Sequence, residues 1–246
     1  RPSENRVNNI LHKIRTDHVI LCNGHIERFL SFQNNDLPGI MLASSFEKYI
    51  CRYGTVPSKE PVIFSNNSNS NSLIYSLIDQ GYKPKAYIDS RSGENIEPDL
   101  FDLIRKHDIP LYTNSLIKSV TGKKRIEKIF IEDSTGGLSE IHSDFLCISG
   151  GINPDVHLFT QSKGLLDWDE IDLTYKPSKS FQPTITLGSA SGQFNLEKVN
   201  SEINEKLKIF KNKVLDVKIV LNTNQSYRIE KLWEVSPHKP SMWSKS

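Results

Sequence analysis

Apolar residues fall along the chain in short runs broken by turn-forming residues, and the runs switch between two periods. Val19-Ile20-Leu21-Cys22 is continuous and apolar and stops at Asn23-Gly24. A short run of that kind predicts a buried parallel strand, covered on both faces. Gly24 lets the backbone turn sharply at its end. Residues 25–38 have no helical period and contain Asn34-Asn35-Asp36 and Pro38, which predicts a loop. After Pro38-Gly39, the apolar positions Ile40, Ala43, Phe46, Ile50 and Tyr53 recur at three- and four-residue spacing. They predict one helix face closed by Gly54.

The middle of the chain repeats this logic more clearly. Pro61–Ser65 reads as a strand, Asn66–Ser72 contains only Asn and Ser, and Leu73, Ile74, Leu77 and Ile78 form a helix stripe stopping at Gly81. Lys85–Asp89 is a second strand, so the unit is a strand, helix, strand crossover of about 30 residues. A helix opens at Pro98, where proline suits the first helical position, and carries Leu100, Phe101, Leu103 and Ile104. Short strands are predicted at 110–112 and 116–120. Arg125–Asp133 alternates, and Ser134-Thr135-Gly136-Gly137 turns it back into Leu138–His142 as an antiparallel hairpin. Phe145–Ile148 is again a buried strand and ends at Ser149-Gly150-Gly151. Pro183–Leu187 runs into Gly188-Ser189-Ala190-Ser191-Gly192. A helix with Leu196, Val199, Ile203, Leu207 and Phe210 on one face follows, the strongest helical period present. Val217–Leu221 reads as one more strand or a helix end. The pattern as a whole is α/β.

Composition narrows the class. Lys plus Arg number 31 against 29 acids, a net charge of +2 over 246 residues. That lacks the basic footprint of a nucleic-acid binder. No apolar run reaches the ~18 residues of a membrane span. Cys22, Cys51 and Cys147 stand far apart, without a disulfide framework, CxxC pair or zinc spacing. Residues 1–18 lack the apolar stretch of a secretory signal. Together with free thiols this gives a cytoplasmic expectation. The chain opens on Arg1-Pro2 without an initiator methionine and reads as an internal piece of a longer protein.

Candidate chemistry concentrates at three strand ends: Asn23-Gly24, Ser149-Gly150-Gly151 and Gly188–Gly192. Ligands of open α/β sheets sit outside the carboxyl ends of strands, and small residues there admit a cofactor backbone. The Gly188–Gly192 turn leads into a helix whose first amides favour a phosphate. Ordinary strand-to-loop turns are the plainer reading of each. The Asn66–Ser72 loop stands where a dinucleotide fold places GxGxxG, yet has no glycine. Asn tolerates left-handed backbone, and Asp89 ends the next strand where an acid binds a ribose hydroxyl. The alternative is a degenerate subdomain kept for its shape. His25, beside Glu27 and Arg28, touches a ligand or lies in a solvated loop. His157 reads as a capping or packing residue. Asp167, Asp169 and Glu170 around Trp168 read as a solvated turn. No catalytic triad, HExxH or metal-ligand spacing is present, so catalytic and metal residues are expected to be none. The chemistry would belong to a bound cofactor.

Leu21-Cys22-Asn23-Gly24-His25-Ile26-Glu27-Arg28 resembles the "ATGAxER" segment of flavoproteins with two dinucleotide-binding domains. Phe32–Ala43, Tyr49–Gly54, Val62–Asn67 and Ser149–Pro154 with His157-Leu158 make the resemblance more specific. Together they are similar to the alpha subunit of heterotetrameric sarcosine oxidase, from about Val19 to Phe194 and more loosely to Trp233. The resemblance implies an FAD/NAD(P)-binding, Rossmann-like, three-layer fold with an inserted nucleotide-binding-like subdomain and a β-hairpin. The implied divisions are 1–54, the second part of the main dinucleotide-binding domain; 55–149, the insert; 150–215, the return to the main domain; and 216–246, the start of a linker or further domain. It implies oxidation of a CH–NH donor: demethylation of sarcosine to glycine, with hydrogen peroxide and methylene-tetrahydrofolate formed. The implied cofactors are NAD here, FAD and FMN in the wider complex, and tetrahydrofolate in a C-terminal domain beyond this piece. The implied partners are beta, gamma and delta subunits. Carried over by position, Asn23, Gly24, Gly188 and Ser189 line the dinucleotide site, with His25 and Gly192 beside them. No catalytic residue carries over, since oxidation occurs at another subunit's flavin, and the piece alone is expected to be inactive. Asn23 stands where many relatives have Thr. The other readings are a subunit of an opine oxidase, cyanide synthase or dye-linked proline dehydrogenase type, and a scaffold that binds no nucleotide.

Overall fold

The computed structural model describes residues 11–210. In chain order its strands and helices begin with β1 (Val19–Leu21), β2 (His25–Glu27), β3 (Ile40–Leu42) and α1 (Ala43–Tyr53). Then come β4 (Val62–Ser65), α2 (Asn71–Asp79), β5 (Ala86–Asp89), α3 (Pro98–Lys106), β6 (Leu111–Tyr112), β7 (Ser115–Thr121), β8 (Lys128–Asp133), β9 (Leu138–His142) and β10 (Leu146–Ser149). The last are β11 (Ile152–Pro154), α4 (His157–Gln161), β12 (Leu166–Asp169), β13 (Thr174–Pro177), β14 (Thr184–Thr186) and α5 (Leu196–Lys206).

An all-parallel sheet in the order β3-β10-β4-β5-β6 forms the centre. Its inner strands are apolar throughout because both faces are covered. Alternation along β4 sends Val62 and Phe64 to one face and Ile63 to the other. The first face packs with Ile117, Val120, Ile129 and Ile131 of the antiparallel meander β7-β8-β9. The second packs with Phe46 and Ile50 of α1, Leu73 and Leu77 of α2, and Leu100 and Ile104 of α3. The result is three layers: meander, sheet, helices. The predicted crossover, the helix at Pro98 and the hairpin are all present.

Residues 40–53 join this central sheet rather than the flanking segments. Ile40–Leu42, predicted as the first turn of a helix, is an edge strand paired with β10. The helical spacing from Ile40 to Ala43 is a coincidence of a strand running directly into a helix. Gly39 precedes it at φ +100°, and a Cβ there would lie 2.6 Å from the Asp144 carbonyl oxygen. Gly54 ends α1 in the left-handed region, φ +62°, as its position predicts.

Outside the insert, β1 pairs in parallel with β14, Leu21 opposite Thr186. The expectation of a buried strand at Val19–Cys22 is corrected: Val19 is 39% and Ile20 43% exposed, since β1 has only β14 as a neighbour among the described residues. The loop predicted for 25–38 contains β2, held against β11, and a bridge from Gln33 to Ser119. Three residues are too few to show a period. The turn predicted around Trp168 is the hairpin β12-β13, stitched by Lys176 to Asp169 and Asp172. The period from Leu196 ends as helix at Lys206 and continues as a 3-10 turn, and α5 buries no residue. The predicted element at Val217–Leu221, the segment 216–246 and the looser match to Trp233 lie outside the described residues.

Candidate functional site

The parallel ladder of β1 and β14 fixes what leaves their carboxyl ends. It runs one bond past the strands, the Leu187 amide donating to the Leu21 carbonyl at 3.0 Å. Asn23-Gly24 and Gly188-Ser189 therefore depart side by side. The Asn23 side-chain amide donates to the Asp155 carbonyl at 2.7 Å, and the Asp155 amide donates to the Gly24 carbonyl at 3.1 Å. Gly24 sits at φ +89° with open space where a Cβ would be, so it serves backbone conformation and leaves the surface there clear. Gly188 (φ +64°) opens a 3-10 turn over Gly188–Ser191, and Gly192 (φ +84°) closes it. A Cβ on Gly192 would meet the Lys176 methylenes at 2.6 Å, so this glycine faces its own protein. His25 begins β2 opposite Pro154; desolvation and then the Lys48 charge lower its pKa.

The turn already holds an anion. The Gly188 amide donates to Glu202 Oε2 at 3.0 Å and Ser191 Oγ donates to Glu202 Oε1 at 2.6 Å. The donor set thus accepts a carboxylate, which is chemically what a phosphate oxygen needs. Nothing in the sequence pattern marks Glu202 except its place one turn before Lys206, which also binds it at 2.7 Å. Burial raises the Glu202 carboxyl, but hydrogen bonds from Lys206, Ser191 and Gly188 outweigh that and hold it below its ordinary range.

Glu27 and Arg28 tie this edge to the insert. The α1 N-cap, Leu42, offers no side-chain acceptor; Glu27 Oε2 instead accepts the Ser44 amide at 3.0 Å. Such a carboxylate suits the positive end of a helix. Arg28 is buried and turns the other way, donating to the Ile152 and Asp172 carbonyls at 2.8 and 3.0 Å. Its backbone pairs with the returning chain, Arg28 N to Gly151 O at 2.8 Å and Gly150 N to Arg28 O at 3.0 Å. A Cβ on Gly150 would lie 2.7 Å from the Arg28 carbonyl oxygen, so the crossing requires glycine.

The insert's own strand ends are arranged differently. In the Asn66–Ser72 loop the Asn66 amide donates to Ser149 O, the Asn67 amide to Ser65 Oγ, the Asn69 amide to Asn67 Oδ1 and the Asn71 amide to Ser68 O. The loop contains no residue at positive φ, so the tolerance of Asn for left-handed backbone is unused. Asp89 does not face a ribose position: it is fully buried, accepting Arg91 Nε at 3.0 Å, Arg91 Nη2 at 2.9 Å and the Tyr87 hydroxyl at 3.1 Å. Arg91, absent from the sequence reading, is the residue that takes the acid away.

No protein-family model matches the chain. It is 29% identical over 186 residues to sarcosine oxidase subunit alpha of Corynebacterium sp. (strain U-96), covering 73% of this chain and 19% of that protein. It is 28% identical over 187 residues to the Rhizobium meliloti (strain 1021) protein of the same name, covering 76% and 18%. The chain spans about a fifth of the length of the curated relatives it matches. Among solved structures it is similar to Lactococcus lactis thioredoxin reductase (TM-score 0.60, 14% identity, 81% of this chain and 67% of that one). It is also similar to L-proline dehydrogenase from P. horikoshii (TM-score 0.51, 21% identity, 70% and 30%). By sequence the chain is similar to sarcosine oxidase alpha subunits, and its fold is the Rossmann-like fold of FAD/NAD(P)-binding oxidoreductases.

Proposed function

We propose that this chain is the dinucleotide-binding region of the alpha subunit of a multi-subunit sarcosine oxidase. The whole enzyme would demethylate sarcosine oxidatively to glycine, yielding hydrogen peroxide and methylene-tetrahydrofolate. The observation that carries the reading is the shared edge at the ends of β1 and β14, where Asn23-Gly24 and Gly188-Ser189 emerge together beside a donor set that accepts an anion. Strand ends of this kind are where α/β folds hold nucleotides.

In this reading NAD is the group held at that edge, and FAD, FMN and tetrahydrofolate belong to the rest of a cytoplasmic assembly with beta, gamma and delta subunits. A nicotinamide ring, when bound, supplies hydride chemistry. This chain's residues shape the approach: Gly188 and Ser189 leave the strand beside Asn23-Gly24, Gly24 keeps the surface clear, and Asn23 fixes the turn against Asp155. Gly192 and His25 shape the surroundings rather than the contact.

The test isolates the full-length protein with its partners, denatures it and identifies released nucleotides by mass spectrometry. NAD in near one-to-one ratio with the chain is expected, and Gly24→Val lowers that ratio. Release of no dinucleotide from the intact assembly defeats the reading. Reduction of an artificial electron-acceptor dye with L-proline, with no oxidation of sarcosine, would move the assembly to the dye-linked proline dehydrogenase type.

A further inference from the structure

The hairpin β12-β13 is built inside out. Successive residues of a strand point to opposite faces. Thr174 and Lys176 of β13, with Asp169 of β12, take the face toward the protein. Thr174 is 3% exposed, and its Oγ1 donates to Asn153 Oδ1 at 2.9 Å. Lys176 donates to Asp169 at 2.8 Å, pairs with Asp172 and lays its methylenes against Gly192. The opposite face carries Leu166 and Trp168 of β12, across from Pro177 and Tyr175 of β13. Trp168 and Tyr175 meet edge to face with ring centroids 5.0 Å apart, and Tyr175 is 56% exposed. An antiparallel ribbon with one wet face ordinarily turns its apolar side chains to the core and its polar ones to water. Here the polar face is held inside and the apolar face looks out. Grouped apolar side chains on an outer face mark a surface that something covers.

We infer that the outer face of β12-β13 is a docking surface for another part of the same polypeptide, outside these 246 residues, that presents a row of apolar side chains. The inference rests on the reading of this chain as one region of a longer alpha subunit. The matched stretch is 18–19% of the relatives' length, so four fifths of such a polypeptide is there to supply the cover. Size selects a tethered occupant over a separate one. Two four-residue strands make a face roughly 13 Å by 10 Å, about 130 Å². A separate partner needs about 800 Å² on each side to offset its lost translational and rotational freedom. A covalently linked segment meets the face at a high effective concentration, and a small contact then suffices. Leu166, Trp168, Tyr175 and Pro177 put no charge on this face, so the occupant is recognised by apolar area and by the aromatic edges rather than by ion pairs.

The test measures solvent reach at Tyr175 in the full-length protein by hydroxyl-radical footprinting, with the same protein in urea as the reference. An uncovered Tyr175, 56% exposed, reacts at roughly half its unfolded rate, and a covered one at about a tenth or less. A second measurement places a photo-crosslinking benzoyl-phenylalanine in place of Tyr175 and identifies the joined peptide by mass spectrometry. Protection is expected in the monomeric full-length chain, with a cross-link inside one chain to a peptide outside these 246 residues. Tyr175 reacting at half its unfolded rate, alone and in the assembly, shows a free face and overturns the inference. Protection only when a second copy or another subunit is present, with the cross-link between chains, also overturns it, as does a cross-link to a peptide within residues 1–246. Footprinting needs no variant, so misfolding of the substituted chain leaves the result readable. None of these outcomes turns on released nucleotide, so the inference and the dinucleotide reading fail separately.

Discussion

Replacing Asp89 with alanine separates a structural acid from a ligand-binding one. The carboxylate is fully buried and takes four hydrogen bonds: Arg91 N at 2.8 Å, Arg91 Nε at 3.0 Å, Arg91 Nη2 at 2.9 Å and the Tyr87 hydroxyl at 3.1 Å. Arg91 is itself only 2% exposed. Removing one partner of such a pair leaves the other charge buried without its counter-ion, which destabilises by about 3–5 kcal/mol. A domain has roughly 5–15 kcal/mol of stability in all, so the variant should unfold near half the urea concentration of the wild type or lower. Replacing both residues with apolar ones of similar volume, Asp89→Leu with Arg91→Met, should restore most of the loss, since the desolvation of both charges disappears together. Urea titrations followed by far-ultraviolet circular dichroism give the free energies, and the double variant closes the cycle. A loss under about 1 kcal/mol in Asp89→Ala, together with weaker dinucleotide binding, refutes the reasoning and returns Asp89 to a ribose-binding role.

Three further outcomes follow from geometry. Gly39→Ala combines φ +100° with a backbone oxygen 2.6 Å from the new Cβ, whereas Gly24→Ala meets only the strained φ of +89°, so thermal melts should show the first losing at least twice as much stability as the second, about 2 against about 1 kcal/mol. Burial, opposed in part by hydrogen bonds from Ser44 and Ser149, raises the Glu27 carboxyl above its ordinary value. The native state then holds a proton that the unfolded chain has lost, so this group's contribution falls as pH rises through the folded value. Glu27→Gln should flatten the fall of the urea midpoint that begins above the ordinary glutamate value of 4.5. Gly150→Ala should loosen the crossing between insert and flanking strands, read as faster amide exchange at Arg28, because the new Cβ pushes on the Arg28 carbonyl at 2.7 Å.

The parts legible from sequence are those with a clean period or an unambiguous stop. β4, α2, β5, α3 and the β8-β9 hairpin stand where the alternation, the stripe and the glycines put them. The failures share a cause. β2 and β3 are three residues each, too short to display a period, and their identity comes from partners far along the chain. Asp89 and Glu202 carry the same lesson at side-chain level. Asp89 is read from its place at a strand end and Glu202 is unmarked in the pattern, yet what each does depends on a cation or donor, Arg91 or Gly188, that only the fold brings within reach. Strand ends alone give three such turns, Ser149-Gly150-Gly151 among them; it is the resemblance that implies the grouping of Asn23-Gly24 with Gly188-Ser189, which the structure places side by side.

The hydrogen-bonded crossing at Arg28 and Gly151 has a kinetic consequence. Leu21 and Thr186 pair across 165 residues, a closure that an unfolded chain meets late. The insert between them is contiguous, and once it folds it clips Arg28 to Gly151. The remaining loop then runs from Leu21 to Arg28 and from Gly151 to Thr186, 42 residues in place of 165. On the logarithmic scaling of loop entropy that lowers the closure cost by about 1.2 kcal/mol, close to a tenfold gain in rate. The insert therefore acts as a folding template. It brings two distant strands toward each other, and the edge carrying Asn23-Gly24 and Gly188-Ser189 forms only when they meet.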